Sequence, residues 1–211
     1  AEWLLDNFYV LEQALREVEK DLPASYYARL PQTSDRLPRI QLVAMAMVQG
    51  GAARLDVEQI RHFVQVFQDE TALNVGELWA LPLMLRFSVL ETMADALADI
   101  TKLEWEHAPE SIILTRLRSA ADNIPTAGSV EADSEARVVN SILNLRLFAT
   151  LEWKTFFATT SVLKRFLRHD PAEVYPQSDF ETRNQYRGII EELQQGSTIS
   201  EDEIALQAIQ L

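Results

Sequence analysis

Cysteine is absent from this 211-residue sequence, and glycine is scarce, with six residues in all. The absence of cysteine excludes disulfide bonds and thiolate metal sites. Scarce glycine and few runs of β-branched residues disfavour a structure built from strands and tight turns. Leu, Ala, Glu, Gln and Arg instead recur at spacings of three and four residues, which is typical of amphipathic helices. The sequence therefore predicts an all-α protein.

Long apolar runs and an excess of basic residues are also missing. The longest uninterrupted apolar run, residues 78–85, is far shorter than the ~20 residues of a membrane-spanning helix, so we expect no membrane insertion by this chain. The net charge of −13 argues against nucleic acid as a partner, because a polyphosphate binds a basic surface. Acidic residues are spread over both halves of the chain, which indicates a solvated surface.

The sequence lacks the common catalytic motifs as well. It has no His-Glu-x-x-His, no Gly-x-Ser-x-Gly and no phosphate-binding glycine loop. Glu104 and His107 have the spacing of ligands in a di-iron helical bundle, but that site needs a second Glu-x-x-His. Neither His62 nor His169 follows a glutamate at this spacing. We therefore expect no catalytic residue, no cofactor and no metal site.

About nine helices are predicted, and the one that begins near Asn74 has the clearest signals. Asn74 and Glu77 have the spacing of a capping box, and leucines follow at helical intervals. Pro82 falls about two turns into this helix, where its missing N–H is expected to produce a kink. Further capping boxes are predicted at Ser178 with Glu181 and at Ser200 with Glu203.

The predicted helices and short connectors are typical of a helical bundle or a stack of helical hairpins. A solenoid is compatible with this order, although no repeat of ~34 residues is visible. Residues 138–167 are predicted to form a long helical region. We expect a single helical domain over residues 1–211, with residues 123–134 as a subdomain hinge because they are rich in turn-forming residues. The chain opens with Ala1 and a helix, which indicates a fragment of a much larger protein.

Two tyrosines are the candidate contact residues. Trp79 and Trp153 occur at helical spacing, so we interpret them as core or helix-contact residues. Tyr26 and Tyr27 instead lie in a connector bounded by prolines. We predict that Tyr26 and Tyr27 contact a sugar or a protein partner, with packing over the neighbouring helix as the alternative.

Five blocks of sequence carry a family resemblance. They are residues 1–10, the Leu-Pro-x-x-Tyr-Tyr-x-x-Leu-Pro pattern at 22–31, Gly-Glu-Leu-Trp-Ala at 76–80 with Leu85-Arg86, the block 174–187, and the final helix 200–210. In this order they resemble a region near the start of the cyclic β-1,2-glucan synthases. The resemblance covers nearly the whole chain, and residues 31–56 and 100–135 depart from it.

The resemblance implies a place in a large enzyme. Members of this family are inner-membrane proteins that build β-1,2-linked glucan from UDP-glucose and close it into a ring. The resembling region precedes the membrane helices and the glucosyltransferase, on the cytoplasmic side of the bacterial inner membrane. It contains none of the family's catalytic motifs.

The function implied by the resemblance is a non-catalytic accessory domain. Such a domain would scaffold the transferase or guide the nascent chain, and its partners would be the other domains of the synthase and β-1,2-glucan. Two alternatives stay open. One is a carbohydrate-binding module for the nascent glucan, and the other is a stand-alone helical-hairpin domain that binds proteins.

Overall fold

The computed structural model describes residues 6–50, 54–102, 132–161, 163, 167, 170–197 and 199–210. Within these ranges the structure has ten helices and no strand. One isolated antiparallel bridge joins Gln32 and Pro38. The all-α prediction is confirmed.

The helices are numbered in chain order. Their bounds are α1 (Phe8–Asp21), α2 (Ala24–Tyr27), α3 (Arg39–Gly50), α4 (Val57–Glu70), α5 (Val75–Thr101), α6 (Ala132–Thr150), α7 (Trp153–Thr160), α8 (Val174–Gln177), α9 (Phe180–Gln195) and α10 (Glu201–Gln210).

The chain divides into two compact units. Unit 1 comprises Ala1–Ile60 and Leu81–Leu151, and unit 2 comprises Arg61–Ala80 and Glu152–Leu211. Two of the three divisions along the chain fall within α4 and α5, and the third falls between α6 and α7. Of the predicted hinge at residues 123–134, the part before residue 132 lies outside the described residues, and its last three residues begin α6. The hinge and the single domain stay predictions.

The core of unit 1 is built around the second part of α5. Seven of its apolar side chains are at most 1% exposed: Leu81, Met84, Leu85, Val89, Leu90, Met93 and Leu97. Helix α1 contributes a buried stripe at helical spacing, and it packs against α6. Burying each such large side chain stabilises the fold by about 1.5–3 kcal/mol, so α5 is the central element of this unit.

The core of unit 2 joins distant parts of the chain. Its buried members are Val75, Leu163, Leu167, Tyr175, Ile190, Ile204 and Ala205, and Trp79, Ile199 and Ile209 pack against them partly buried. Helices α9 and α10 pack against each other. The start of α5 therefore shares a core with the C-terminal helices.

Helix α5 continues through Pro82 from Val75 to Thr101. Proline has no N–H, so the carbonyl of Leu78 loses the donor it would normally receive one turn later. Pro82 is buried. The predicted helix is confirmed, and the kink at Pro82 stays a prediction.

Two predicted capping boxes are confirmed. The N–H of Glu77 donates to Asn74 Oδ1 at 2.7 Å, and the N–H of Asn74 donates to Glu77 Oε2 at 3.0 Å. At the start of α10, the N–H of Ser200 donates to Glu203 Oε2 at 3.1 Å, and the N–H of Glu203 donates to Ser200 Oγ at 3.4 Å.

The capping box predicted at Ser178 and Glu181 is wrong. The cap of α9 is Asp179, whose Oδ1 accepts from the N–H of Thr182 at 2.7 Å. The Ser178 hydroxyl instead donates to the carbonyl of Val174 at 2.7 Å. Serine and aspartate are about equally good caps, so two adjacent candidates are not distinguished by sequence.

The predicted helical region 138–167 is interrupted. Helix α6 ends at Thr150, and α7 begins at Trp153. The Trp153 ring lies 5.5 Å from Phe156, edge to face, and stacks 6.1 Å from Phe157. Leu151 and Glu152 are both good helix formers, so tertiary packing, including that of the Trp153 ring, decides this break rather than local propensity.

Candidate functional site

One buried arginine connects three helices of unit 1. Arg86 on α5 is 7% exposed. Its Nε donates to Glu17 Oε2 on α1 at 2.8 Å. Its Nη1 donates to the carbonyl of Pro82, and its Nη2 donates to the carbonyl of Phe148 on α6, both at 3.0 Å. Arg86 therefore links α1, α5 and α6.

The charge of Arg86 is compensated within unit 1. Burial lowers the pKa of its guanidinium from the ordinary value, and the Glu17 carboxylate acts in the opposite direction. Arginine stays protonated under such shifts, so a buried cation must be paired and hydrogen-bonded. Each guanidinium nitrogen of Arg86 has an acceptor, which indicates a structural role.

The predicted contact residues Tyr26 and Tyr27 lie together in α2, a single helical turn in unit 1. Both side chains are half-buried. The Tyr27 hydroxyl donates to Gln41 Oε1 on α3 at 2.6 Å. This bond attaches Tyr27 to the neighbouring helix. Contact of Tyr26 and Tyr27 with a sugar or a partner stays a prediction.

In unit 2, buried carboxylates surround the N-terminus of α5. Beside the capping box, the N–H of Val75 donates to both oxygens of Glu201, at 3.0 and 3.3 Å. Glu201 is the first residue of α10 and is 6% exposed, and Glu77 is fully buried. Carboxylates are favourable here because the first N–H groups of a helix lack internal partners and carry a partial positive charge.

Because Gly76 has no side chain, a third carboxylate, that of Glu191, can lie close to the N-terminus of α5. A Cβ added at Gly76 would lie 3.1 Å from Glu191 Oε1 on α9, tighter than ordinary contact. Three sequence blocks that carry the resemblance, 76–80, 174–187 and 200–210, contribute to the core of unit 2. The first of these blocks is far from the other two in the sequence, so the sequence alone does not show that they share a core.

An aromatic pair with a buried hydroxyl lies beside α9. Tyr175 is buried, and its hydroxyl has no hydrogen-bond partner among the described residues. Burial raises the pKa of Tyr175, and the nearby Arg187 and Arg183 act in the opposite direction. The ring of Tyr186 lies 6.1 Å from that of Tyr175. Tyr186 is thus held against a buried residue of unit 2.

One side of α9 is apolar and exposed. Tyr186, Ile189 and Leu193 are 40%, 53% and 55% exposed. Their spacings of three and four residues place them on one face of the helix, which we call the α9 stripe. The neighbouring Ile190 is buried. Sequence reasoning missed the stripe, because Ile189 and Ile190 look alike until packing selects one of them.

Neither a metal-binding cluster nor a membrane-spanning helix occurs in the described part of the chain. Glu104 and His107 lie outside it. Within it, no group of three or more His, Asp or Glu side chains is placed to hold a metal ion. No helix there is both long and apolar enough to cross a bilayer.

Together these features define an all-α protein whose buried charged groups stabilise helix ends and helix junctions. No family model matches the chain. Over its whole length the chain is similar to part of cyclic β-(1,2)-glucan synthase NdvB from Rhizobium meliloti (strain 1021), with 29% identity over 269 aligned residues. The resemblance predicted from the ordered blocks is confirmed. The chain spans about 9% of the length of this relative.

Proposed function

We propose that the chain is a non-catalytic helical accessory domain of a cyclic β-1,2-glucan synthase. It acts as a scaffold for the glucosyltransferase or as a guide for the nascent glucan. Its partners are the other domains of the synthase, and β-1,2-glucan is a further candidate. Its place is the cytoplasmic side of the bacterial inner membrane, as part of a membrane-bound synthase.

The use of the buried charged groups supports a non-catalytic role most directly. Four charged side chains are buried in the described part of the chain. Glu77 and Glu201 accept hydrogen bonds at the N-terminus of α5. Arg86 and Arg187 donate to main-chain carbonyls. Catalytic groups of a transferase need to reach a substrate, whereas these groups contact helix backbone.

The extent of the similarity supports an accessory role. The whole chain aligns with only 9% of the relative. Joined to a much larger polypeptide, such a domain has a high effective concentration for neighbouring domains, so modest surfaces suffice for docking.

The non-catalytic role is tested by incubating the 211-residue chain with UDP-glucose. We expect no consumption of the donor and no glucan, while the complete NdvB assayed in parallel yields product. Turnover of UDP-glucose by the chain alone would overturn this proposal.

The supporting role is tested in the relative itself. Removing the aligned segment from NdvB should lower the yield or change the length of its cyclic glucan, and supplying the segment as a separate chain should partly restore the product. An unchanged product after the deletion would contradict the scaffold and guide roles together.

A further inference from the structure

We propose that the α9 stripe is a docking surface for a second helix. The partner is an amphipathic helix whose apolar face is edged by lysine or arginine. The inference rests on the proposed function only in placing this helix within the same synthase.

The geometry of the stripe fits a helix. Tyr186, Ile189 and Leu193 form a straight apolar row on a 16-residue helix. Helices that dock on one another use apolar residues at these intervals. Contact with the buried Tyr175 positions Tyr186 before any partner arrives. Tyrosine is among the residues that most often dominate binding energy at protein interfaces.

One flank of the stripe is acidic and favours a basic partner, while the half-buried Arg183 lies on the other flank, beside Ile190. Glu181 and Glu192 are exposed, and at 100° per residue they lie beside the stripe, on the side away from the buried Ile190. Unit 2 as a whole contains 13 acidic and seven basic residues. Complementary potentials favour a partner with cations along its edges.

The same observations disfavour other occupants. An anionic membrane attracts helices with basic polar faces, and the flank here is acidic. Of the three stripe residues, only Tyr186 can hydrogen-bond to a sugar hydroxyl. A second copy docked antiparallel on the same patch would bring the two acidic flanks close together.

The test uses two designed peptides of about three heptads that share one apolar face. One carries lysine along both edges, and the other carries glutamate there. Fluorescence anisotropy of the labelled peptides reports binding to the 211-residue chain. We expect the lysine peptide to bind at least about tenfold more tightly than the glutamate peptide.

A variant pair locates the binding on the chain. Ile189→Gln with Leu193→Gln removes two exposed apolar contacts and should weaken the lysine peptide by about tenfold or more. Val66→Gln is the matched control, because Val66 belongs to the same unit and is 52% exposed. Circular dichroism checks that each variant keeps its helices.

Five outcomes would overturn the inference. The lysine peptide fails to bind, or the two peptides bind equally. The double variant binds like the control. The chain binds vesicles of anionic phospholipid through the stripe but not the peptide. Sedimentation shows a dimer that the double variant abolishes. Because none of these involves UDP-glucose turnover, failure of this inference is distinguishable from failure of the non-catalytic role.

Discussion

The two units bury their apolar side chains differently. In unit 1 the second part of α5 is surrounded, and the exposed large apolar residues Tyr9, Leu42 and Val139 lie on three separate helices. In unit 2 three such residues share one face of α9. Scattered exposed residues are normal, whereas a continuous row indicates a contact surface. Under the docking proposal, the contact surface therefore belongs to unit 2.

Their buried charges differ in the same sense. Unit 1 places a cation, Arg86, among three helices, where it donates to the Glu17 carboxylate and to main-chain carbonyls. Unit 2 places anions, Glu77 and Glu201, at one helix end. The first arrangement fixes helix packing, and the second fixes where a helix begins. Arg86 and Glu201 can be substituted separately, so the contributions of the two arrangements can be measured one at a time.

The largest effect is expected from Arg86→Ala. This change removes the ion pair with Glu17 and leaves the Phe148 carbonyl without its donor. Breaking a buried pair is expected to lower the free energy of unfolding by about 3 kcal/mol. Urea unfolding measures the loss, and hydrogen exchange should show it mainly in unit 1.

Glu17→Gln is the control for Arg86→Ala. The Glu17 side chain is 33% exposed, and an amide oxygen can still accept the bond, so about 1 kcal/mol is expected. An Arg86→Ala protein as stable as Glu17→Gln would contradict the structural role of Arg86.

A smaller effect is expected from Glu201→Ala in unit 2. Without this carboxylate, the N–H of Val75 has lost a buried acceptor. Loss of a helix cap lowers the free energy of unfolding by about 1 to 2 kcal/mol. Glu203→Ala removes an exposed cap on the same helix and should cost less. If Glu201→Ala and Glu203→Ala lower the free energy of unfolding equally, Glu201 acts only on α10 and not as a cap of α5.

Acid should affect unit 2 through two further carboxylates. Three backbone N–H groups, first those of Tyr175 and Ala172, hold the pKa of Asp170 below its usual range. The bond from Thr182 lowers the pKa of Asp179. A lowered folded-state pKa gives stability that is present above the unfolded value and is lost as pH falls through the folded value.

Folding stability should therefore begin to fall at pH ~4, the unfolded-state pKa of aspartate, and should fall further at lower pH. Thermal melts between pH 5 and 2.5 should show a decline that Asp170→Asn reduces, because asparagine does not titrate. Exchange near residues 170–182 should rise first. If the Asp170→Asn variant loses stability in acid as the parent chain does, Asp170 is not a cause of that loss.

Sequence predicted local features better than packing. The Asn74–Glu77 box and the long helix after it follow from local rules, and both are confirmed. Glu201 was beyond prediction as a cap for α5, since it lies 126 residues from Val75. The α9 stripe depends on which of two adjacent isoleucines enters the core. Contacts between residues far apart in the sequence decide both the Glu201 cap and the α9 stripe. Local helix propensity carries no information on such contacts.

The smallest expected effect concerns two helical glycines of unit 2. A Cβ at Gly188 on α9 would meet no atom within 4 Å. Glycine inside a helix is about 0.8–1.0 kcal/mol less favourable than alanine, so Gly188→Ala should raise the free energy of unfolding by about that amount. Gly76→Ala should gain less, because its Cβ would press on the Glu191 carboxylate at 3.1 Å.

The Gly188→Ala variant also tests whether the contact surface is confined to the α9 stripe. Gly188 lies about 100° round the helix axis from Ile189 and farther from Tyr186 and Leu193. If only the stripe binds the partner helix, Gly188→Ala stabilises unit 2 and leaves the affinity for the lysine peptide unchanged. Urea unfolding and anisotropy on one variant measure both quantities. A stabilised variant that binds more weakly would place Gly188 within the contact surface, because a methyl group there would hinder a close helix.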